Sequence, residues 1–476
     1  MKCFWNFTDP HLQHHTRIVM FRYLIALAAI IILKQIGFSA GESSPSKPNV
    51  VIILSDDLGY ADLSVTGAKD VSTPNIDALA REGVRFTQAY STHSVCSPAR
   101  AGLITGRHQS RWGHDSNWSD FGLPSNEATL GDRMKSLGYT TSVVGKWHVG
   151  SAIYTNPKDD ELASVTGFDE VFLTKHNATY FEEEFLDSRD NGQFAKFSDN
   201  TLYTTDICAD RGADFIRRSK GKPFFLYLPL NSVHENFYAP EHLEAPQKYL
   251  DRVSGISDTK RRLMAAMLIG LDEAVGTVIR SLRETGADNN TLVVFANDNG
   301  GSLHLGAQVS LNTPFRGGKG DFTEGGLRIP MIMRWPTHIS ANTLYTAPVS
   351  TLDLLPTAVA AAGGTIDPTW QIDGVNLMPH LRGQAQQEPH ESIYWRRGKD
   401  GAIVQGSWKL NIGPGKTRSL FNLDSDPSES KDLSRQHSDK MLAMESAWKA
   451  WESRMGRPQP IAPPKDFKAD WLKQAH

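Results

Sequence analysis

Four short apolar segments, with helical patterns between them, restrict this chain to an α/β fold. They cover residues 49–55, 140–144, 222–230 and 291–296. Each is rich in branched or aromatic residues and lacks the regular apolar–polar alternation that marks a half-exposed strand. Such a run is typical of a strand that is buried on both faces. The sequence therefore predicts a sheet whose two faces are both covered.

Helical periodicity occupies the segments between these strands. Pro74 opens a helix that stops at Gly83, because proline is favoured in the first helical turn and glycine after the last. A second helix ends at Gly138, and a long helix from about residue 260 to 284 has one continuous apolar stripe. The order of strands and helices is that of an α/β protein.

The pattern changes after Gly364. Short strand-like segments separated by glycine, aspartate and asparagine predict an antiparallel meander. These segments are residues 392–395, 402–405, 408–412 and 419–423. A final helix from about residue 437 to 455 has an apolar side, which we interpret as a packing face. The C-terminal part is therefore predicted to be a smaller antiparallel sheet with a packed helix.

A polar cluster lies just past the carboxyl end of each of the four buried strands. In strand order the clusters are Asp56-Asp57, Lys146 with His148, His234, and Asp298-Asn299. In open α/β sheets ligands bind at this edge, because the loops converge there while packing fills the strand interiors. Four such placements on one edge predict an active site.

The acidic clusters offer the oxygen ligands of a hard cation. Adjacent carboxylates repel one another, so a buried pair needs a compensating positive charge. Asp56, Asp57, Asp298 and Asn299 together supply four oxygen donors, which suit Ca²⁺, with Mg²⁺ as the alternative. No Cys–His spacing indicates zinc. Each pair alone is typical of a solvated turn, but their common position at the strand ends favours a metal site.

Cys96 precedes a helix-start signal. Ser97-Pro98 combines a hydroxyl that can cap free N–H groups with a proline whose missing donor costs nothing there. Cys96 would then lie at a helix N-terminus, which favours an anion, and Arg100 would point to the same end. Gly106 is predicted to end the helix. Taken alone, the alternative is a structural cysteine at a helix cap.

Two further segments fit an anion site. Lys146 and His148 alternate on a chain that leaves a strand, so we expect both side chains on one face. Residues 315–320 form a glycine-rich loop that would bring Lys319 close to an anion. Taken singly, each of these residues is more often a solvated polar group.

The run that begins at Cys96 resembles the signature of the type I sulfatases, Cys-x-Pro-x-Arg, followed by Leu-x-Thr-Gly at residues 103–106. Ala99 stands where serine is common in that family. Other segments resemble family motifs; they are Asp56-Asp57-x-Gly59-Tyr60, Gly145-Lys146-Trp147-His148, Asp298-Asn299-Gly300-Gly301, Arg316-Gly317-Gly318-Lys319 and Glu324-Gly325-Gly326-Leu327-Arg328-Ile329-Pro330. The resemblance extends from about residue 48 to residue 424.

This resemblance implies an alkaline-phosphatase-like fold, which is a central mixed, mainly parallel sheet with helices on both faces. A sulfatase catalytic domain would cover residues 48–364, and a smaller antiparallel-sheet subdomain with a packed helix would cover residues 365–476. In this family a formylglycine-generating enzyme oxidises the cysteine to formylglycine, an aldehyde whose hydrate is the nucleophile. Cys96 is therefore expected to be modified and to join the metal ligands, with Asp298 assisting deprotonation of the hydrate.

The remaining roles follow from the same resemblance. Arg100 would hold the hydrate, and Lys146 and Lys319 would bind the sulfate oxygens. His234, together with Lys319, would protonate the departing alcohol, and His148 would remove a proton so that sulfate is expelled. After His234 the sequence reads Glu-Asn-Phe instead of the family's Thr-Pro, so the family's substrate contacts do not transfer to these positions.

Three functions are open at this point. A sulfate ester hydrolase acting on a sulfated small molecule or an O-sulfated glycan agrees with every motif. A phosphate or phosphonate ester hydrolase of the same fold would share the nucleophile and the anion site. A non-catalytic, calcium-bound glycan-binding protein is the third, if Cys96 is never oxidised. Residues 154–200 are a candidate specificity segment, and His114, Asn117 and Trp118 could either meet a sugar or pack at the rim.

The N-terminus predicts export. An apolar run at residues 23–33 is too short to span a bilayer comfortably and precedes small residues, as in a signal peptide over residues 1–40. Met20 is an alternative start, and residues 41–47 would form a linker. We expect a periplasmic, secreted or lysosome-like protein without a stable membrane span after cleavage, a single-span anchor being the alternative.

Composition excludes one class of partner and limits the disulfides. The 476-residue chain has a formal net charge of −3, so it lacks the basic excess that nucleic-acid binding needs. A disulfide between Cys96 and Cys208 is the alternative to two free thiols, but it would remove the nucleophile. Cys208 is therefore expected to be a lone buried thiol.

Overall fold

The computed structural model describes residues 47–119, 122–149, 165–175, 180–181, 184–189, 193–196, 202–237 and 239–459. The predicted signal peptide and most of the predicted linker lie outside these residues, as does much of the candidate specificity segment. Within these ranges, no helix combines the length and the apolar character that crossing a membrane would require.

Fifteen strands form two sheets within the described residues. They are β1 (Asn49–Ser55), β2 (Val84–Tyr90), β3 (Thr140–Gly145), β4 (Glu170–Thr174), β5 (Glu184–Asp187), β6 (Gln193–Lys196), β7 (Phe224–Pro229), β8 (Thr291–Asn297), β9 (Arg328–Arg334), β10 (Thr343–Tyr345), β11 (Val349–Ser350), β12 (Ile393–Arg397), β13 (Asp400–Gln405), β14 (Trp408–Ile412) and β15 (Arg418–Asn422). The central sheet has the order β10-β2-β9-β8-β1-β7-β3-β4-β5-β6, with β11 paired to β2. The second sheet has the order β12-β13-β14-β15.

The middle of the central sheet is parallel. Strands β8, β1, β7, β3 and β4 are neighbours in that order and run in the same direction. By contrast, β9 is antiparallel to β2 and β8, and β5 is antiparallel to β4 and β6. This mixed, mainly parallel sheet confirms the predicted fold class.

Ten α-helices connect or cover the strands in the described part of the chain. They are α1 (Pro74–Arg81), α2 (Cys96–Thr105), α3 (Leu130–Ser136), α4 (Thr204–Arg218), α5 (Gln247–Leu250), α6 (Thr259–Thr285), α7 (Glu324–Leu327), α8 (Leu354–Ala361), α9 (Met378–Leu381) and α10 (Ser438–Glu452). The predicted helices α1, α3 and α6 are all present, and the bounds of α6 differ by one residue from the prediction.

Helices cover both faces of the central sheet, as the uninterrupted apolar strands predicted. In β1, Val51 and Ile53 belong to a core with α1, α4 and α6, while Val50, Ile52 and Leu54 belong to a second core with α2, α3 and α8. All five side chains are fully buried. Burial stabilises the fold by about 1.5–3 kcal/mol for each such side chain, so the two cores fix where the strand ends lie.

The second sheet packs against α10 on one face and against the central sheet on the other. Trp448 of α10 belongs to a buried cluster with Ile403 of β13. Trp395 of β12 packs with Tyr90 of β2, and its indole N–H donates to the carbonyl oxygen of Ser91 at 2.7 Å. The predicted meander and its packed helix are confirmed.

Candidate active site

Four adjacent parallel strands deliver the predicted polar clusters to one edge of the central sheet. Strands β8, β1, β7 and β3 lie side by side, and the chain leaves each of them at its carboxyl end. The side chains that follow these strands are Asp298 and Asn299, Asp56 and Asp57, His234, and Lys146 and His148. Each of these residues is buried, with at most 7 % of its surface exposed.

Asn297, the last residue of β8, joins the ends of β8 and β1. Its Oδ1 accepts hydrogen bonds from the Ser55 hydroxyl at 2.9 Å and from the Leu58 N–H at 3.2 Å. Asp57 lies between these two partners and has a φ of 57°, a left-handed conformation that aspartate adopts more readily than most residues. This turn brings Asp57 against Asp298, whose Oδ1 accepts from the Asp57 N–H at 3.2 Å.

Helix α2 presents Cys96 to the same edge. The helix begins at Cys96 itself, and the capping residue Val95 makes no side-chain hydrogen bond. The predicted cap by Ser97 is therefore wrong; the Ser97 N–H instead donates to Asn117 Oδ1 at 2.9 Å. The helix ends as predicted at Gly106, which has a φ of 64°.

His114 also supports the start of α2. Its Nε2 lies 2.9 Å from the Ser97 hydroxyl, and only 1 % of the residue is exposed. His114 and Asn117 therefore bind the first turn of α2, and a sugar contact by either residue stays a prediction. The rim-packing alternative accounts for their position.

The thiol of Cys96 is enclosed by carboxylates. Its Sγ lies 3.5 Å from Asp56 Oδ1 and 3.8 Å from Asp57 Oδ1, and the residue is fully buried. Burial raises the pKa of this thiol well above its usual value, although Lys319 acts in the opposite direction. An unmodified thiol here is neutral and a poor nucleophile. Cys208, the other cysteine among the described residues, is also a buried thiol outside any disulfide, as predicted.

Two buried cationic side chains neutralise part of the acidic cluster. Lys146 Nζ lies 2.5 Å from Asp56 Oδ2, and Arg100 binds Asp298 Oδ2 through Nε and Nη2, both at 2.8 Å. Burial would raise the pKa of Asp56, but Lys146, His234 and Arg100 together lower it far below its usual range. Burial and the neighbouring Asp56 raise the pKa of Asp298 to about 7.

Lys319 reaches the cluster from the glycine-rich loop between β8 and β9. Its Nζ lies 2.7 Å from Asp57 Oδ2 and 3.1 Å from His234 Nε2. Close backbone contacts hold this loop against the end of β8, and they require glycine. A Cβ added to Gly300 would lie 1.8 Å from the carbonyl oxygen of Gly325, so no other residue fits there without movement of the chain.

His234 is held in one tautomer when its ring is neutral. Its Nδ1 lies 2.7 Å from the carbonyl oxygen of Glu235, which can only accept, so Nδ1 carries the hydrogen. The lone pair of Nε2 then faces the ammonium of Lys319. Burial lowers the pKa of His234, and the charge of Lys319 lowers it further. The Tyr180 hydroxyl lies 2.8 Å from the carbonyl oxygen of His234 and anchors this segment.

His148 reaches the same edge through a turn. Strand β3 ends at Gly145, and His148 has a φ of 54°, so the strand alternation behind the prediction stops before these residues. Burial lowers the pKa of His148 well below its usual value, and Lys146 and Arg100 add to this effect. Neither ring nitrogen has a hydrogen-bond partner among the described residues. Because an unpartnered buried imidazole is costly, it suits a group that acts on a ligand.

The donor set at this edge fits a hard divalent cation. Single ligand atoms of Asp56, Asp57, Cys96 and His234 lie within 4.8 Å of one another, and the two carboxylates among them supply the oxygen donors. Asn299 Nδ2 donates to Asp57 Oδ1 at 2.7 Å, and the buried Oδ1 of Asn299 has no hydrogen-bond partner in the described ranges. An unsatisfied amide oxygen beside clustered carboxylates is what an oxygen-coordinated cation would satisfy.

A group of aromatic and polar residues beside His234 was missed by the sequence analysis. Glu235 Oε2 lies 2.9 Å from His304 Nδ1, and the ring of Phe237 lies 5.8 Å from that of His234. His304 comes from the β8–β9 loop, whereas Glu235 and Phe237 follow β7. The departure from the family pattern after His234 was the only signal for this group in the sequence.

Comparison with known proteins identifies the family. The sulfatase family model matches residues 48–364. Arylsulfatase J of Mus musculus is 30 % identical over 462 residues, covering 84 % of this chain and 74 % of its own. N-acetylgalactosamine-6-sulfatase of Mus musculus is 30 % identical over 419 residues, covering 80 % and 75 %. The crystal structure of Ps i-CgsB in complex with k-i-k-neocarrahexaose has a TM-score of 0.78 and 30 % identity, covering 90 % of this chain and 98 % of that one.

Proposed function

The chain belongs to the sulfatase family and is a sulfuric ester hydrolase, and we propose that it desulfates carbohydrates with a nucleophile made from Cys96. The nucleophile is formylglycine, and one divalent cation, calcium in preference to magnesium, assists it. The observation that carries this proposal is the Cys96 side chain at the start of α2, buried against Asp56 and Asp57.

The surroundings of Cys96 explain why this residue would need modification. Its thiol is neutral and faces two carboxylates, which disfavour a thiolate. The hydrated aldehyde supplies one hydroxyl as nucleophile and a second hydroxyl that allows sulfate to leave without attack of water on sulfur. The modification signature is intact at Pro98 and Arg100. A formylglycine-generating enzyme is therefore the proposed maturation partner.

Asp56, Asp57, Asp298 and Asn299 would hold the cation together with the side chain at position 96. Four protein oxygens favour calcium, because magnesium usually keeps several waters and takes only one or two carboxylates from the protein. The cation supplies positive charge that favours deprotonation of the nucleophile and neutralises the sulfate.

Cationic side chains of this edge are assigned to sulfate binding. The ammonium groups of Lys146 and Lys319 contact Asp56 and Asp57, the same carboxylates that face residue 96. A sulfate that approaches residue 96 would therefore meet both ammonium groups, which stabilise the charge that is redistributed during transfer. Arg100 is assigned to orienting the nucleophile.

Two histidines are assigned to proton transfer. His234 and Lys319 share a contact of 3.1 Å between Nε2 and Nζ, so a proton held between them can pass to the departing alcohol. His148 is assigned to accepting a proton when sulfate is released. Its lowered pKa keeps the ring neutral and able to accept, and Asp298 is assigned to deprotonating the nucleophile.

The proposed substrates are sulfated glycans. One relative is named for N-acetylgalactosamine 6-sulfate, and another was solved with a neocarrahexaose. We also propose that residues 1–40 are a signal peptide of an exported enzyme, that residues 48–364 are its catalytic domain, and that residues 365–476 form the smaller subdomain. Phosphate or phosphonate esters are the second candidate substrates, because three cationic side chains beside residue 96 suit any tetrahedral oxyanion.

The deciding experiment compares an aryl sulfate with the matching aryl phosphate in one enzyme preparation. We expect kcat/KM to be higher for the sulfate, and we expect Cys96→Ala to abolish turnover of both esters. Exhaustive chelation should remove the activity and calcium should restore it. A preference for the phosphate would reverse the substrate assignment, and full activity with no metal content would refute the cation.

A further inference from the structure

We infer that Phe237 and His304 form a subsite for the sugar ring that carries the sulfate, and that the Glu235 carboxylate orients His304 in it. This inference rests on the proposed function and deepens it, because it concerns the alcohol part of the substrate. The residues involved are called the rim group below; they are Glu235, Phe237, His242 and His304.

The rim group lies directly beside the proposed proton donor. The ring centroid of Phe237 is 5.8 Å from that of His234, 6.1 Å from that of His242 and 6.4 Å from that of His304. The rings of His242 and His304 are 5.9 Å apart. Phe237 is 37 % exposed, so part of its ring is accessible beside a buried histidine.

This position is the one that the leaving alcohol must occupy. A group that protonates an oxygen has to come within hydrogen-bond distance of it, so the ring bearing that oxygen lies within one ring diameter of His234. Phe237 is the exposed aromatic side chain at that distance among the described residues. Its face can pack against the C–H groups of a pyranose, because the face of an aromatic ring is negative and C–H groups are weakly positive.

The chemistry of the rim group favours a polyol over an apolar alcohol. Glu235 is buried and accepts a hydrogen bond from His304 Nδ1 at 2.9 Å. The side chain of its partner His304 is 27 % exposed, so part of this polar ring is accessible to a ligand. A purely apolar substrate would desolvate the imidazole without offering a hydrogen-bonding group, which is costly. Sugar hydroxyls offer such a group while one sugar face packs on Phe237.

Glu235 acts through His304. A carboxylate only accepts hydrogen bonds, so the contact with Glu235 places the hydrogen of a neutral His304 on Nδ1 and fixes the orientation of the ring. Glu235, which stands where the family pattern has threonine, is therefore a positioning residue for the subsite. It is 3 % exposed, so it meets substrate only through its partner.

The test is the ratio of kcat/KM for the better sugar sulfate to kcat/KM for the aryl sulfate. It is measured in Phe237→Ala, His304→Ala and Glu235→Gln. The substrates are a sulfated carrageenan oligosaccharide, N-acetylgalactosamine 6-sulfate and a nitrophenyl sulfate. We expect Phe237→Ala to lower kcat/KM for the better sugar substrate roughly tenfold more than for the aryl sulfate, mainly through KM. His304→Ala and Glu235→Gln should shift the ratio in the same direction, and Phe237→Tyr should restore it.

Leu303→Ala is the matched control. Leu303 precedes His304 and is exposed to the same extent as Phe237, at 37 %, so its truncation removes apolar surface outside the rim group and should leave the ratio unchanged. A parallel loss on sugar and aryl sulfates in the three variants would overturn the subsite. So would wild-type enzyme that cleaves the aryl sulfate but neither sugar. Failure on all three sulfates by enzyme modified at residue 96 would instead refute the proposed function.

Discussion

His234 and His148 are both buried imidazoles with a lowered pKa, yet their surroundings differ. His234 is tied to the Glu235 carbonyl oxygen and to Lys319, which gives it a fixed hydrogen and a cationic neighbour. His148 has no hydrogen-bond partner among the described residues. At the scale of single residues, we propose that the donated proton is the one between Lys319 Nζ and His234 Nε2, because the hydrogen on His234 Nδ1 is held by the Glu235 carbonyl oxygen. The neutral ring of His148 is the proposed proton acceptor.

These roles predict different kinetic defects. His234→Ala should slow sugar sulfates by about 10²–10⁴-fold, because an alkoxide needs a proton donor to leave. It should slow an aryl sulfate with an acidic phenol much less, because that phenolate leaves unaided. His148 is assigned to a step after the alcohol has left. Rapid-quench measurements of His148→Ala should therefore show one equivalent of alcohol released in a burst before turnover stops. Equal losses on both substrates, without a burst in either variant, would contradict the assignment.

At the scale of elements, the strands that carry the site were predictable and their neighbours were not. Strand β1 has the predicted bounds, and β8 differs from the prediction by one residue, because strands buried on both faces need uninterrupted apolar runs. Strands β2 and β9 were missed. Strand β2 mixes Arg85, Thr87 and Gln88 with apolar residues, and β9 contains Pro330, which argues against a strand. Both become strands through tertiary pairing, β9 between β2 and β8, and β2 beside β9, β10 and β11.

The start of helix α8 carries a pH-dependent contact that can be tested. His390 Nε2 lies 2.9 Å from Asp353, which precedes α8. Burial would lower the pKa of His390, but the Asp353 carboxylate raises it above the usual 6.5. Because the folded-state pKa of His390 is raised, protonation of His390 stabilises the folded protein. This contribution is complete below about pH 6.5. This stabilisation is lost as the pH rises through the folded-state value.

His390→Ala should therefore cost more stability at low pH than at high pH. We expect a loss of about 1.5–3 kcal/mol below the unfolded-state pKa, declining in alkaline buffer. Urea titrations of wild-type protein and variant at several pH values would measure it. His437→Ala, which removes an exposed ring in edge-to-face contact with Trp408, is the control. A loss that does not change with pH would contradict the contact.

At the scale of the whole molecule, the second sheet is fastened to the loop that carries Lys319. The fully buried Lys409 of β14 lies 2.8 Å from Glu324 and 3.2 Å from Glu429, and the Glu324 N–H donates to Glu429 at 2.6 Å. Glu324 opens α7 shortly after Lys319. Lys409 and Glu324 are 85 residues apart, so no periodic pattern in a single sequence indicates their contact. The strand-end clusters were predictable because topology alone gathers them, whereas this link and the rim group depend on loop contacts.

The state of residue 96 tests the central claim most directly. Mass spectrometry of the peptide that contains residue 96 should show that the thiol has been replaced by an aldehyde that reacts with hydrazides. Across preparations made with and without a formylglycine-generating enzyme, specific activity on an aryl sulfate should rise in proportion to the modified fraction. A fully active preparation in which Cys96 carries only its unmodified thiol would contradict the account.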